Sequence, residues 1–172
     1  MHFQKALVTV MNYQGVSIQE LATRTGSDLR WILSITSNSD WKPKLDTILR
    51  LCHALRINVF SFIGIAEAGL NYNEINTKEI FTTYCSIVVH MRQILDLQPK
   101  HISMALRSYR LECGLSQRKL EKLTPFNVHT ISTREGKRYQ NYPTVTTLYS
   151  YCDAYKITLQ DFVIRAFSCI DK

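Results

Sequence analysis

The five cysteines of this chain, Cys52, Cys85, Cys113, Cys152 and Cys169, are its first candidates for covalent or metal chemistry. Their separations of 33, 28, 39 and 17 residues match neither a zinc-ligand pattern nor a Cys-x-x-Cys redox pair. They read as reduced thiols, most of them small buried hydrophobes. No paired carboxylates at helical spacing, Gly-rich phosphate loop or Ser, His and Asp set appears, so no catalytic residue, cofactor or metal is expected and the chain reads as a non-enzyme. What remains is recognition chemistry. The stretch "GLSQRKLEKLT", residues 114–124, puts Gln117, Arg118, Lys119 and Lys122 on the apolar spacing of a short helix and turn.

The elements that must position those side chains belong to a 172-residue chain with 45% hydrophobic and 20% charged residues, ordinary values for folded protein. Formal net charge is +7, unevenly spread. Residues 1–98 hold 9 Lys or Arg against 8 Asp or Glu, whereas residues 99–172 hold 12 against 6. A basic second half implies a polyanionic partner that touches mainly that half. The opening "MHFQKALVTVMNYQG" lacks the pattern of a secretion signal and no run of about 18 apolar residues occurs, so a cytoplasmic protein with no membrane partner is expected.

The chain is written twice. Gly15, Ser17, Leu21 and Ile32 recur as Gly114, Ser116, Leu120 and Ile131 at an offset of 99. One residue later in register, "KPKLDTILRLCHALRINVFSFI" lies over "YPTVTTLYSYCDAYKITLQDFV" at an offset of 100, pairing Pro43 with Pro143, Cys52 with Cys152 and Phe62 with Phe162. Self-similarity on this scale reads as tandem domains, 1–66 and 99–172, with 67–98 between them. In each copy the apolar period is helical: Leu45, Ile48, Leu49, Cys52 and Leu55 in the first, Val145, Leu148, Tyr149, Cys152 and Tyr155 in the second. Thr144 is the expected N-cap of the second of these helices. Between the copies, Asn76 and Glu79 have capping-box spacing. Ile80, Tyr84, Ile87, Val88, Met91, Ile94 and Leu95 form one stripe of an amphipathic helix that ends at Pro99. Such a stripe must be covered, by the two domains or as a homodimer seam.

In the second copy, Leu106, Arg107 and Arg110, then "GLSQ" (114–117), Leu120, "HTIS" (129–132), Glu135 with "GKR", and Pro143 to Phe162 follow one spacing for about 60 residues. This stretch resembles the helix-turn-helix of the phage repressor and Cro family, also called XRE-type. The resemblance implies an all-α fold of two tandem five-helix lambda-repressor-like domains joined by the amphipathic helix. It also implies sequence-specific binding of double-stranded DNA by a transcriptional regulator. The residues agree: Ser116 can cap a helix from Gln117 to about Leu123, Thr124, Pro125 and Phe126 make a turn where the family usually has Gly, and Asn127 caps the reading helix. Phe126 and Ile131 are then expected in the core. Val128, His129, Thr130 and Thr133 are left for base edges in the major groove. Gln117, Arg118, Arg107, Asn127, Arg134, Lys137, Arg138 and Asn141, with Lys122 and Gln140 nearby, form the expected phosphate-contact set, which positions without reading sequence.

The first copy departs where DNA would be touched. Ile18 replaces Gln117, Thr36 stands at the place of Glu135, Asp28 precedes the helix, and Arg30 and Trp31 hold the places of His129 and Thr130. Ile18 and Trp31 exposed together would form an apolar patch suited to protein contact. The expectation is a homodimer or partner contact through Ile18, Trp31, Ile87 and Met91, with DNA held after residue 99 and no small-molecule ligand. Two other readings stand beside it: a protein-interaction module of antitoxin or adaptor type, and a single chain that binds two half-sites with both domains.

Overall fold

A computed structural model describes residues 2–69 and 97–170. Ten helices and no strand are present among the described residues. The chain divides into two compact units, Met1–Arg92 and Gln93–Lys172. The amphipathic helix expected around residues 76–95, with its Ile87 and Met91, lies outside the described residues.

In the first unit α1 (Phe3–Gln14) stops at Gly15, whose φ of 65° is the left-handed conformation that a helix end needs and glycine adopts without strain. Ser17 opens α2 (Ile18–Thr25) by accepting the Glu20 N–H at 3.1 Å. Asp28 opens α3 (Leu29–Ser37) and Asn58 opens α5 (Val59–Ala68), each accepting the amide two residues on. Helix α4 (Leu45–Ala54) follows Lys44, which makes no side-chain cap bond. Leu7, Leu21, Ile32, Leu45, Ile48, Leu51, Phe62 and Ile63 are fully buried. These side chains form the core on which α1 packs with α3 and α5, and α2 with α3 and α4.

In the second unit α6 (Pro99–Glu112) has Pro99 in its first turn and Gln98 as N-cap, whose own N–H donates to His101 Nδ1 at 3.0 Å. Ser116 caps α7 (Gln117–Glu121), Asn127 caps α8 (Val128–Arg134), Thr144 caps α9 (Val145–Tyr155) and Thr158 caps α10 (Leu159–Phe167). Helix α7 ends at Glu121, two residues earlier than its sequence suggests, and leaves Leu123 exposed. Ile102, Leu106, Leu120, Ile131, Leu148, Tyr151, Phe162 and Val163 are fully buried, where α6 meets α9 and α10 and α7 meets α8. Tyr149, expected in this core, is half-buried, and Tyr151 takes the place instead. They flank the buried stripe of α9 on opposite sides, about 200° apart around the helix, and the deeper slot goes to the ring that Phe126 stacks on. Of the cysteines, Cys52, Cys152 and Cys169 are buried, whereas Cys113 is exposed. Burial pushes the Cys52 thiol well above its ordinary pKa, so it stays protonated and inert.

The internal repeat is written in the backbone as well. Gly15 and Gly114, 99 apart, have φ of 65° and 63°. Arg56 and Lys156, 100 apart, are the non-glycine residues with positive φ among the described residues. No single described helix is long and apolar enough to cross a membrane. Helices α4 and α5 together reach that length but meet at a bend of 111°.

Candidate nucleic-acid interface

Helix α8 starts where two acceptors meet its free amides. Asn127 Oδ1 takes the Thr130 N–H at 2.8 Å, and Glu121 reaches over the turn to take the Val128 N–H at 3.0 Å. Ile131, fully buried, anchors the inner face against the core. His129, Ser132 and Thr133 are exposed, and Val128 and Thr130 are half-buried. The four residues expected to meet base edges therefore share one short, firmly capped helix. Thr133 Oγ1 donates back to the His129 carbonyl at 2.9 Å, so toward a partner that hydroxyl acts as an acceptor. Ser132, which sequence reasoning did not single out, is exposed among them.

Of the expected phosphate contacts, Arg107, Arg118, Asn127, Lys137, Arg138 and Asn141 are exposed. Lys137, Arg138 and Asn141 line a cleft of about 610 Å³ with Thr133, Gly136, Tyr139 and Gln140. The end of α8 and the two loop cations thus border one concave surface. Helix α6 docks onto this end of α8 through Ser103 Oγ, which donates to the Gly136 carbonyl at 2.9 Å, and through Arg110. Arg107, between them at helical spacing, is exposed on the same side of α6.

Gln117 and Arg134 are placed differently. Gln117 Nε2 donates at 3.0 Å to Glu135, a carboxylate only 7% exposed. The same carboxylate receives Arg110 in a fork: Nε at 2.7 Å from Oε1 and Nη2 at 2.9 Å from Oε2. Arg110 Nη1 donates to the Leu115 carbonyl at 2.8 Å. The hydrogen bond to Glu135 raises the Arg110 pKa above its ordinary value, so the guanidinium stays charged. One buried carboxylate thereby ties α6, the start of α7 and the end of α8 together.

Arg134 turns its guanidinium onto an aromatic layer. Its Cζ lies 4.1 Å from the Phe126 ring centroid and 5.9 Å from that of Tyr151, while the two rings stack at 5.1 Å. Phe126 itself is half-buried rather than in the core. Burial raises the Tyr151 pKa and the adjacent Arg134 opposes that rise, which leaves a neutral phenol under a cation.

In the first unit Ile18 and Trp31 are half-buried, not the exposed pair expected, and Arg50 lies 5.9 Å from the Trp31 ring. Among the described residues the exposed large apolar side chains there are Leu29 and Leu33 of α3, at 40% and 44%. They stand one turn apart on one helix face. Single exposed leucines carry no signal in a sequence, which is why the pair went unread. Among the described residues no group of three His, Cys, Asp or Glu could hold a metal ion. No protein-family model, curated protein or solved structure matches this chain.

Proposed function

We propose that this protein is a sequence-specific, double-stranded DNA-binding transcriptional regulator of the phage repressor and Cro type. In this reading the chain is two tandem five-helix domains, with the second domain laying α8 in the major groove. Val128, His129, Thr130 and Thr133 meet base edges. Arg107, Arg118, Asn127, Lys137, Arg138 and Asn141 meet phosphates, and Gln117 adds its remaining hydrogen-bonding capacity at the start of α7. A homodimer would present two such helices to half-sites about one helical turn apart. The observation that carries the reading is α8 itself: a capped helix held by buried Ile131, with polar residues outward and Lys137 and Arg138 on the loop that follows.

The test is selection of bound duplexes from a randomised pool, followed by titration of the recovered sequence at rising salt. An enriched motif is expected, with affinity falling about a thousandfold between roughly 50 and 200 mM salt if about six phosphates are contacted. No enriched sequence, or affinity insensitive to salt, overturns the proposal.

One observation favours a second role for the first unit. Leu29 and Leu33 are exposed on α3, the helix that corresponds to α8, and exposed apolar pairs mark protein contacts more than base contacts. Assembly through this unit predicts that Leu29→Ser with Leu33→Ser lowers subunit stoichiometry in analytical ultracentrifugation.

A further inference from the structure

We propose that Arg134 is a positioning residue: lying on Phe126, it holds the turn between α7 and α8 and so sets how the reading helix is seated. The inference rests on the DNA-binding reading above and assigns Arg134 a role in it other than phosphate contact.

The need for such a residue comes from the turn. In the first unit α2 ends on Gly26, with φ of 61°. The corresponding residue of the second unit is Pro125, whose ring locks φ near about −65° and forbids that left-handed step. The second turn therefore takes another path, and side chains must hold it. Phe126, directly after the proline, stacks on Tyr151 of α9 at 5.1 Å, and Arg134 lies over both rings, 4.1 Å from the Phe126 centroid and 5.9 Å from that of Tyr151. A turn residue is thus packed on a fully buried ring, with the last residue of α8 covering the pair.

The direction of Arg134 follows from its place on the helix. It stands three residues after Ile131, on the inward side, and its counterpart in the first unit is Ile35, a core residue only 3% exposed. A flat, delocalised guanidinium can occupy this apolar slot and stack on an aromatic face, which an ammonium does less well. Loss of this cover frees the turn and lets α8 shift, and a shift costs base contacts before it costs phosphate contacts.

The test uses the full chain, the duplex recovered by selection and a scrambled duplex of equal length. Arg134→Met is expected to weaken binding to the selected duplex about tenfold, the size of a partly desolvated cation–π contact. Affinity for the scrambled duplex and the slope of log affinity against log salt should not change. Arg134→Lys restores part of the lost discrimination. Phe126→Leu, which keeps the charge at 134, reproduces the loss and carries the same test if Arg134→Met does not fold. Equal weakening on both duplexes, with a salt slope reduced by about one phosphate, makes Arg134 a phosphate contact and overturns the proposal. Unchanged discrimination in both variants overturns it too. Wild-type protein that selects no sequence instead overturns the DNA-binding reading itself, a failure visible before any variant is made.

Discussion

Met11, Ile18 and Thr36 of the first unit have Arg110, Gln117 and Glu135 as their counterparts 99 residues later. The same three slots, in the same helical frame, hold an uncharged set in one unit and a buried ionic network in the other. Met11 is 5% exposed, Arg110 9%, so the slot is equally deep in both. Replacing a buried ion pair by apolar residues of similar volume is often neutral or stabilising, so the network is not there because the fold requires a charge. What it adds is direction. Glu135 fixes α6, α7 and α8 to one another by bonds with defined geometry, whereas Met and Ile constrain only volume. The unit with the network is also the one with the polar outer face of His129, Ser132 and Thr133 and the greater positive charge. The unit without it shows Leu29 and Leu33 to solvent.

The largest effect expected from breaking this contrast is at Arg110. Arg110→Ala leaves Glu135 buried and unpaired, and destabilisation of the second unit by about 3–5 kcal/mol is expected, read by amide hydrogen exchange across α6 to α10. Importing the whole first-unit set, Arg110→Met with Gln117→Ile and Glu135→Thr, should restore most of that stability. If the triple variant is as unstable as Arg110→Ala, the network is structurally required and the contrast as drawn is wrong. Because Trp31 and Trp41 both lie in the first unit, tryptophan fluorescence follows that unit separately, and its transition should be the same in both variants.

A smaller pair of substitutions tests what the units share. Leu21 and Leu120 are both 0% exposed at corresponding positions, and each changed to Ala should cost its own unit about 3 kcal/mol. Hydrogen exchange that localises each loss to one unit, with similar size, confirms one scaffold used twice. A loss in one unit only would mean that the two cores are not equivalent.

The smallest effect is a titration. Asp161 accepts hydrogen bonds from the Thr158 hydroxyl and N–H, and these hold its carboxyl below the ordinary value of 3.8. Its stabilising contribution is therefore present above that pH and is lost as pH falls through the lower folded value. The first unit has Ser61 at the corresponding place, and Asn58 caps α5 there without a titrating group. The Asp161 carboxyl followed by NMR should titrate below 3.8 in the wild type and move upward in Thr158→Ala; an unchanged midpoint would remove this difference between the units.

Local features were the ones readable in advance. Ser116, Asn127 and Thr144 act as N-caps, as their types and positions suggest, because a cap bond joins atoms two or three residues apart. Ile131 and Leu120 are buried, as a helical apolar period requires. What escaped such reading depends on contacts between distant residues. Gln117 appears free until Glu135, 18 residues on, is brought to it. Arg134 reads as an exposed cation until Phe126 and Tyr151 close beneath it. Tyr149 and Tyr151 are indistinguishable by period, and only the partner ring chooses between them. Ile18 and Trp31 read as surface anchors, yet each is half-buried.

By itself, the sequence determined the helical class, the repeat and the caps at Ser116, Asn127 and Thr144, since each rests on the chemistry of a few neighbouring residues. The tertiary structure alone decided which cations face outward. A long Arg or Gln side chain can reach several partners, and its direction depends on which carboxylate or ring folding brings within bonding distance. That is why Arg107, Lys137 and Arg138 remain available to a polyanion, while Arg110, Gln117 and Arg134 hold the helix from within.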